Sequence, residues 1–333
     1  MMQLLQPSDL LTLFLSQVFL SLPFLLIGTL ISSALLVLVD EHKLEARFPR
    51  NRILSSMVGS CLGFILPLSQ IGIIPIVRRL LLQGAPLSLA ISALIAAPTI
   101  NLVVILGTIN TLVDKPRMAF LRILLTWLIA IAISLIFSSY REKPRVEPPL
   151  NPLTRVPCLR SGSFVESQDC HDPLQRTGNL IYEYAVPQLH QRPWPEKLRL
   201  LMINMMEECL EFGIILVLAS AIAALIQALI PQAILMEQAT NPLEQTLLMM
   251  GLGFVLSLEA IIPNAWLVPY LDHLWSGAVL AFLLVGGILN LKSLGLLIIT
   301  FQPKPLIYFI VLIGQSILLF ALMLDYYFNF VNT

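Results

Sequence analysis

Gly63-Phe64-Ile65-Leu66-Pro67-Leu68-Ser69-Gln70 returns 190 residues later as Gly253-Phe254-Val255-Leu256-Ser257-Leu258-Glu259-Ala260, each copy lying inside an apolar run. A second echo, Ala97-Pro98-Thr99-Ile100-Asn101-Leu102 against Gly286-Gly287-Ile288-Leu289-Asn290-Leu291, recurs at an offset of 189. Two matches at spacings that differ by one residue read as an internal duplication. In membrane transporters built from paired repeats, Gly/Pro-interrupted apolar segments at corresponding places in the two halves mark a solute site at the repeat interface. The expected fold is therefore an all-α integral membrane protein of two pseudo-symmetric four-element repeats with broken or re-entrant helices, and the expected function is transport.

Composition closes off the other classes. Of 333 residues 57% are hydrophobic and 12% charged, and the mean hydropathy of +0.85 belongs to a membrane protein, since soluble domains carry about 25% charged residues. Twenty basic and twenty acidic side chains balance, so no net field invites nucleic acid. The first apolar run, roughly 11–39, is far longer than a signal-peptide core and reads as a retained helix. No phosphate-cradling Gly-x-x-x-x-Gly-Lys-Ser/Thr loop and no His-Glu-x-x-His is present. His42, His171, His190 and His273 fall near run ends or in loops, and Cys158, Cys170, His171 and His190 have no compact zinc spacing. No enzyme activity, metal or cofactor is expected.

Spanning about 30 Å of hydrocarbon takes roughly 20 apolar helical residues. The runs that qualify are roughly 11–39, 53–77, 87–113, 117–138, 209–231, 245–271, 276–300 and 305–325. Residues 1–138 form a first membrane repeat and 209–333 a second. Between them, 139–208 is a polar linker with nine prolines from Pro144 to Pro195. Its end, from Lys197 to Met206, is a candidate amphipathic surface helix.

If all eight runs cross fully, the sixteen basic residues nearest the run ends divide eight against eight. If the second and sixth dip in and return, turning at 67–70 and 257–259, the division becomes thirteen against three, an asymmetry of the kind that sets orientation. Each half then crosses three times, and the halves are inverted. Irregular backbone at depth is allowed where protein or a water-filled cavity covers it.

The breaks carry the chemistry. Pro67 and Pro75 bracket Ser69, Gln70 and Gly72; each proline removes a backbone donor and clashes with the preceding turn. The freed backbone, the Ser69 hydroxyl and the Gln70 amide can replace a solute's hydration shell. A simple packing kink is the alternative. Pro98 breaks the third run beside Asn101, which is matched by Asn290; these amides either face a solute or bond between helices. In the second half Ser257, Glu259 and Asn264 flank the break near Pro263. A carboxylate at depth costs about 2.5–3.5 kcal/mol on insertion scales, so Glu259 is a candidate for proton coupling or for a structural bond to freed backbone. Glu207, Glu208 and Glu211 read as the acidic start of the fifth element, favoured by the helix dipole. Gly59-Ser60-Cys61-Leu62-Gly63 is a small-x-x-x-small packing pattern.

At these residues the chain resembles the predicted-permease family that includes the ArsP-type organoarsenical efflux permeases. The family's Pro-x-Cys-Ser-Cys-Gly-x-x-Pro segment stands here as Pro67-Leu68-Ser69-Gln70-Ile71-Gly72-Ile73-Ile74-Pro75, followed by Arg78-Arg79, Gly84 and Ala96-Ala97-Pro98-Thr99-Ile100-Asn101. Both prolines and the glycine match, while Ser69 and Ile71 replace the two cysteines. The resemblance implies an efflux permease fold. The missing thiols shift the expected solute from thiophilic species to harder polar ones.

The combined expectation is a multi-pass permease of the plasma (inner) membrane that moves a small molecule or ion by alternating access. Its partners are the solute, the lipid bilayer and a further copy of itself as a homo-oligomer, with no nucleic acid. Ser69, Gln70 and Asn101 line one side of the site, and Ser257, Glu259, Asn264 and Asn290 the other. The rival is a transport-inactive membrane scaffold or assembly factor with a permease-like fold.

Overall fold

Long apolar runs become long helices in the computed structural model, and interrupted runs become pairs of short ones. The structure describes residues 7–39, 48–49, 51–65, 68–112, 116–139, 193–229, 241–256 and 274–332. Four helices there are long and apolar enough to cross a bilayer: α1 (Pro7–Leu38), α6 (Pro116–Ser139), α7 (Trp194–Leu229) and α11 (Pro303–Asn332). The shorter ones are α2 (Arg52–Ile65), α3 (Gln70–Leu82), α4 (Leu87–Ala96), α5 (Leu102–Thr111), α8 (Pro242–Leu256), α9 (Ser276–Ile288) and α10 (Leu291–Thr300). α9 and α10, joined at a 41° bend, are together long and apolar enough to form a fifth span or a re-entrant loop. The described chain is all-helical, the arrangement that satisfies backbone polar groups inside each segment where no water can.

Three of the eight expected elements are thus split. Run 53–77 divides into α2 and α3, run 87–113 into α4 and α5, and run 276–300 into α9 and α10. Two expectations are corrected. Gly72 and Pro75 do not break a helix, because α3 runs through both; its start is at Gln70, and Gly72 is there for packing. A Cβ on Gly72 would stand 2.6 Å from the Phe24 carbonyl of α1, and Gly28 of α1 presses on Gly72 in return. The boundary at 208/209 falls inside α7, a single helix that includes the expected amphipathic segment and carries Glu207, Glu208 and Glu211 in its interior rather than at its start.

Close glycine contacts set the pairings. Gly59 faces Leu89 and Ser92, and a Cβ on Gly63 would lie 2.6 Å from the Ala97 Cα, so α2 and α4 run parallel with backbones in contact. α8 and α9 do the same: the Trp275 amide donates to Gln245 (2.7 Å), and a Cβ on Gly253 would stand 2.9 Å from the Phe282 carbonyl. α1 and α3 are also parallel, since Gly28 meets Gly72, Arg79 Nε reaches Ser32 (3.5 Å) and Gln83 Nε2 donates to the Leu35 carbonyl (2.9 Å). α1 and α7 are antiparallel, with Asn204 donating to Ser33 (2.8 Å) and Leu200 and Leu201 beside Leu36 and Val37. After α3 the chain turns through Gly84, whose φ of 83° is a left-handed conformation that glycine adopts without strain. The Ala85 amide returns there to the Leu80 carbonyl (2.9 Å).

The main core draws on α3, α4, α6, α9, α10 and α11. Large apolar side chains such as Phe19, Leu210, Leu218, Leu319 and Met323 remain exposed on α1, α7 and α11, as helix faces turned to lipid do.

Candidate functional site at the helix breaks

The two breaks of the second echo are built alike. Asn101 and Asn290 have extended backbones and N-cap the helices that follow. Asn101 Oδ1 accepts from the Val104 amide (2.8 Å). Asn290 Oδ1 accepts from the Ser293 amide (2.8 Å), and Ser293 Oγ returns to Asn290 in a capping box. Each cap satisfies one of the orphan amides that a helix start leaves. Asn101 does more: its Nδ2 donates to the Ala97 carbonyl (3.0 Å) and reaches the Leu68 carbonyl (3.5 Å). That contact ties the α4–α5 break, where Pro98 sits in the turn, to the segment that leads into α3.

Leu68, Ser69 and Gln70 bring the chain into α3 below the surface. Ser69 is the N-cap residue, but its side chain makes no capping bond. Ser69 Oγ and both amide atoms of Gln70 are buried with no hydrogen-bond partner. Above them α1 crosses at Phe24. One turn earlier on α1, Ser21 Oγ accepts from Lys292 Nζ (2.8 Å), the second residue of α10. Gln17, another turn back, is buried with both amide atoms unpartnered. The breaks of the two halves also touch, because a Cβ on Gly287 would stand 2.5 Å from Thr99 Cγ2 and 3.4 Å from Arg122 Nη2. Arg122 itself, fully buried, donates from Nη1 to Thr108 (2.6 Å).

Of the residues chosen from sequence, Asn101 reaches the Leu68 carbonyl, next in the chain to Ser69 and Gln70. Asn290 joins them through the contact between Gly287 and Thr99 and through Lys292. Pro67, Ser257, Glu259, Pro263 and Asn264 lie outside the described residues. Ser21, Gln17, Lys292 and Arg122 were not selected from sequence, although a signal existed for two. Lys292 is the sole charge between Ser276 and Thr300, and an ionisable residue inside a membrane run is a functional candidate by default. Arg122 reads as a helix-end charge only if its run is taken to begin at 117.

A second polar cluster joins the halves nearer the α3 C-terminus. Arg79 pairs with Glu208 and reaches Asn204 (3.3 Å), while Arg78 pairs with Glu211 (3.0 Å) and lies over the Phe212 ring. Among the described residues no group of three His, Cys, Asp or Glu side chains gathers as a metal site would require.

Residues 7–326 match the model of the ArsP_1 family, described as a predicted permease. The chain belongs to the ArsP_1 permease family. With its apolar spans, this makes it a multi-pass transmembrane permease. It is 27% identical over 316 residues to a Streptococcus mutans serotype c protein that carries the name of a two-component membrane permease complex subunit, covering 94% of this chain and 93% of that one. It is 26% identical over 294 residues to UPF0718 protein YcgR of Bacillus subtilis (strain 168), covering 88% and 89%. No solved structure matches.

Proposed function

We propose that the chain is a plasma-membrane permease of two inverted repeats that passes a small polar solute, by alternating access, through the junction where the helix breaks converge. The observation that carries this reading is the contact of Gly287 with Thr99, which brings corresponding interrupted segments of the two halves against each other. Inversion is supported by the antiparallel packing of α1 on α7, the long first helices of the two halves. Re-entrance is supported by the parallel packing of α2 on α4 and of α8 on α9. Two helices separated by one full crossing would run antiparallel; helices that both enter from the same face run parallel. Helix starts at Leu87 and Ser276, and at Leu102 and Leu291, keep the 189-residue offset of the sequence echo.

In this reading Ser69, Gln70 and Asn101 face Ser257, Glu259, Asn264 and Asn290 across the path, efflux is the direction, and Glu259 is the proton-coupling group. The Arg79–Glu208 and Arg78–Glu211 pairs hold α3 of the first half against α7 of the second on the linker side, and opening there requires them to part. The name of the Streptococcus relative supports work with a second component; a homo-oligomer is the alternative assembly.

The tight seat of Thr99 against Gly287, and the use of both asparagines as caps, favour a second reading: a membrane scaffold that keeps the fold without transport. Single cysteines at Ser69 and Thr99 decide between them, in protein whose native cysteines are replaced. A permease path labels with a small membrane-impermeant thiol reagent from both faces, in right-side-out and inside-out vesicles. A scaffold labels from neither.

A further inference from the structure

We propose that the buried start of α3 binds an oxyanion: the solute, or the headgroup that occupies this site, presents a carboxylate, phosphate or sulfate group to Ser69 and Gln70. This rests on the reading above of the break as a solute site and adds the chemical class of its occupant.

The first amides of any α-helix have no carbonyl within the helix to bond, and the dipole places partial positive charge at that end. Most helix starts offset this with a side-chain cap or with water. Here the N-cap side chain of Ser69 does not cap, and the start is buried, with Ser69 6% and Gln70 5% exposed. Side chains tilt toward the helix N-terminus, so that of Gln70, the first residue of α3, projects past the helix end. Its Oε1 and Nε2 and the Ser69 Oγ have no hydrogen-bond partner. Leaving such groups unbonded costs about 1–3 kcal/mol each. Three of them at one uncapped helix start mark a place prepared for a ligand that the fold itself does not supply.

The donor balance chooses the class. The Gly72 and Ile73 amides already bond the Ser69 carbonyl, which leaves the amides of the first two residues of α3, the serine O–H and the glutamine NH2 as donors; among the side-chain groups the only obligate acceptor is Gln70 Oε1. A cation would meet donors and the positive end of the dipole. A neutral polyol would need as many acceptors as donors. An oxyanion takes several donors at once, which is why anions settle at helix starts. The buried carboxylates of the described residues are engaged elsewhere: Glu208 and Glu211 on Arg79 and Arg78, and Asp325 on the Gly277 amide. Lys292, held on Ser21 one turn from the Phe24–Gly72 contact, adds cationic charge on the same side.

The test is thermal unfolding of purified protein in phosphatidylcholine nanodiscs, titrated with sodium phosphate, sulfate, acetate or succinate. Sodium chloride at matched ionic strength, choline chloride and glycerol serve as controls. At least one oxyanion should raise Tm in a saturable way, on the order of 3 °C. Gln70→Leu and Ser69→Ala should abolish that rise. Because each removes an unpartnered buried polar group, each should unfold at the same temperature as the parent or higher without salt, which separates loss of binding from loss of fold. A Gln70-dependent rise produced by phosphatidylglycerol nanodiscs instead of by the salts would assign the same oxyanion chemistry to a lipid headgroup. Stabilisation by choline or glycerol alone, a rise that survives Gln70→Leu, or no oxyanion-dependent rise would overturn the assignment. The cysteine labelling from both faces would still stand or fall independently, so failure of the anion assignment and failure of the permease reading are distinguishable.

Discussion

Asn101 and Asn290 perform one task at corresponding places, and the chemistry of the task is local: a short amide on an extended residue closes the first turn of the next helix. Asn101→Ala and Asn290→Ala should each lower stability by about 1 kcal/mol, with the larger loss at Asn101, whose Nδ2 also bonds the Ala97 carbonyl. Chemical or thermal unfolding of the two variants checks the order. The glycines make a sharper prediction. Gly63→Val and Gly253→Val push a side chain into the backbone of α4 and of α9, where overpacking costs typically 1–3 kcal/mol; size-exclusion and melting profiles should show both variants destabilised, whereas Gly213→Val, with nothing near its Cβ position, should be silent. The residue scale was partly legible in sequence. Asn101, Asn290 and the Gly59/Gly63 spacing stood out because their partners lie within a few residues or on a neighbouring helix. Gly72 stood out for another reason, as part of a helix break between prolines; its packing against Phe24, 48 residues away, was not legible.

At the scale of elements, α3 is the hinge of the account. It begins at the uncapped site, packs parallel to α1, and ends on α7 through Arg78 and Arg79. Sequence left those arginines just beyond the run 53–77 and placed Glu208 and Glu211 at a helix start, since like-period apolar runs say where helices lie but not which polar residues find each other across 129 positions of chain. The pairing yields a prediction. Glu208→Gln leaves Arg79 buried without its charge partner and should cost about 3–5 kcal/mol, while the double variant Arg79→Met, Glu208→Leu should recover most of that loss, because a buried ion pair and an apolar pair of similar size are close in free energy. A double-mutant cycle by unfolding measures it. Failure of the double variant to recover stability would mean that Asn204 and Ser32, which also contact Arg79, carry more of the junction than the pair does. Run lengths predicted where the long helices lie; proline marked the breaks in runs 53–77 and 87–113, whereas the split of 276–300 was not read, because a break of a few residues inside an apolar stretch barely changes its hydropathy.

For the whole molecule, the packing supports the duplication proposed from two short echoes: α2 lies parallel to α4 and α8 to α9, and the long first helices α1 and α7 are antiparallel. Residues 146–190 should be replaceable by a flexible spacer of similar reach with the protein still monodisperse in detergent, since a proline-rich polar segment cannot bury a core of its own. Aggregation after that replacement would show that the segment packs on the membrane domain or serves assembly. The central claim, two inverted repeats each with a re-entrant pair, is tested most directly by labelling single cysteines at Asn51, Ala85, Asn241 and Ser276 with a membrane-impermeant reagent in right-side-out and inside-out vesicles. The account predicts that Asn51 and Ala85 label from one face and Asn241 and Ser276 from the other. Labelling of Asn51 and Ala85 from opposite faces would contradict it.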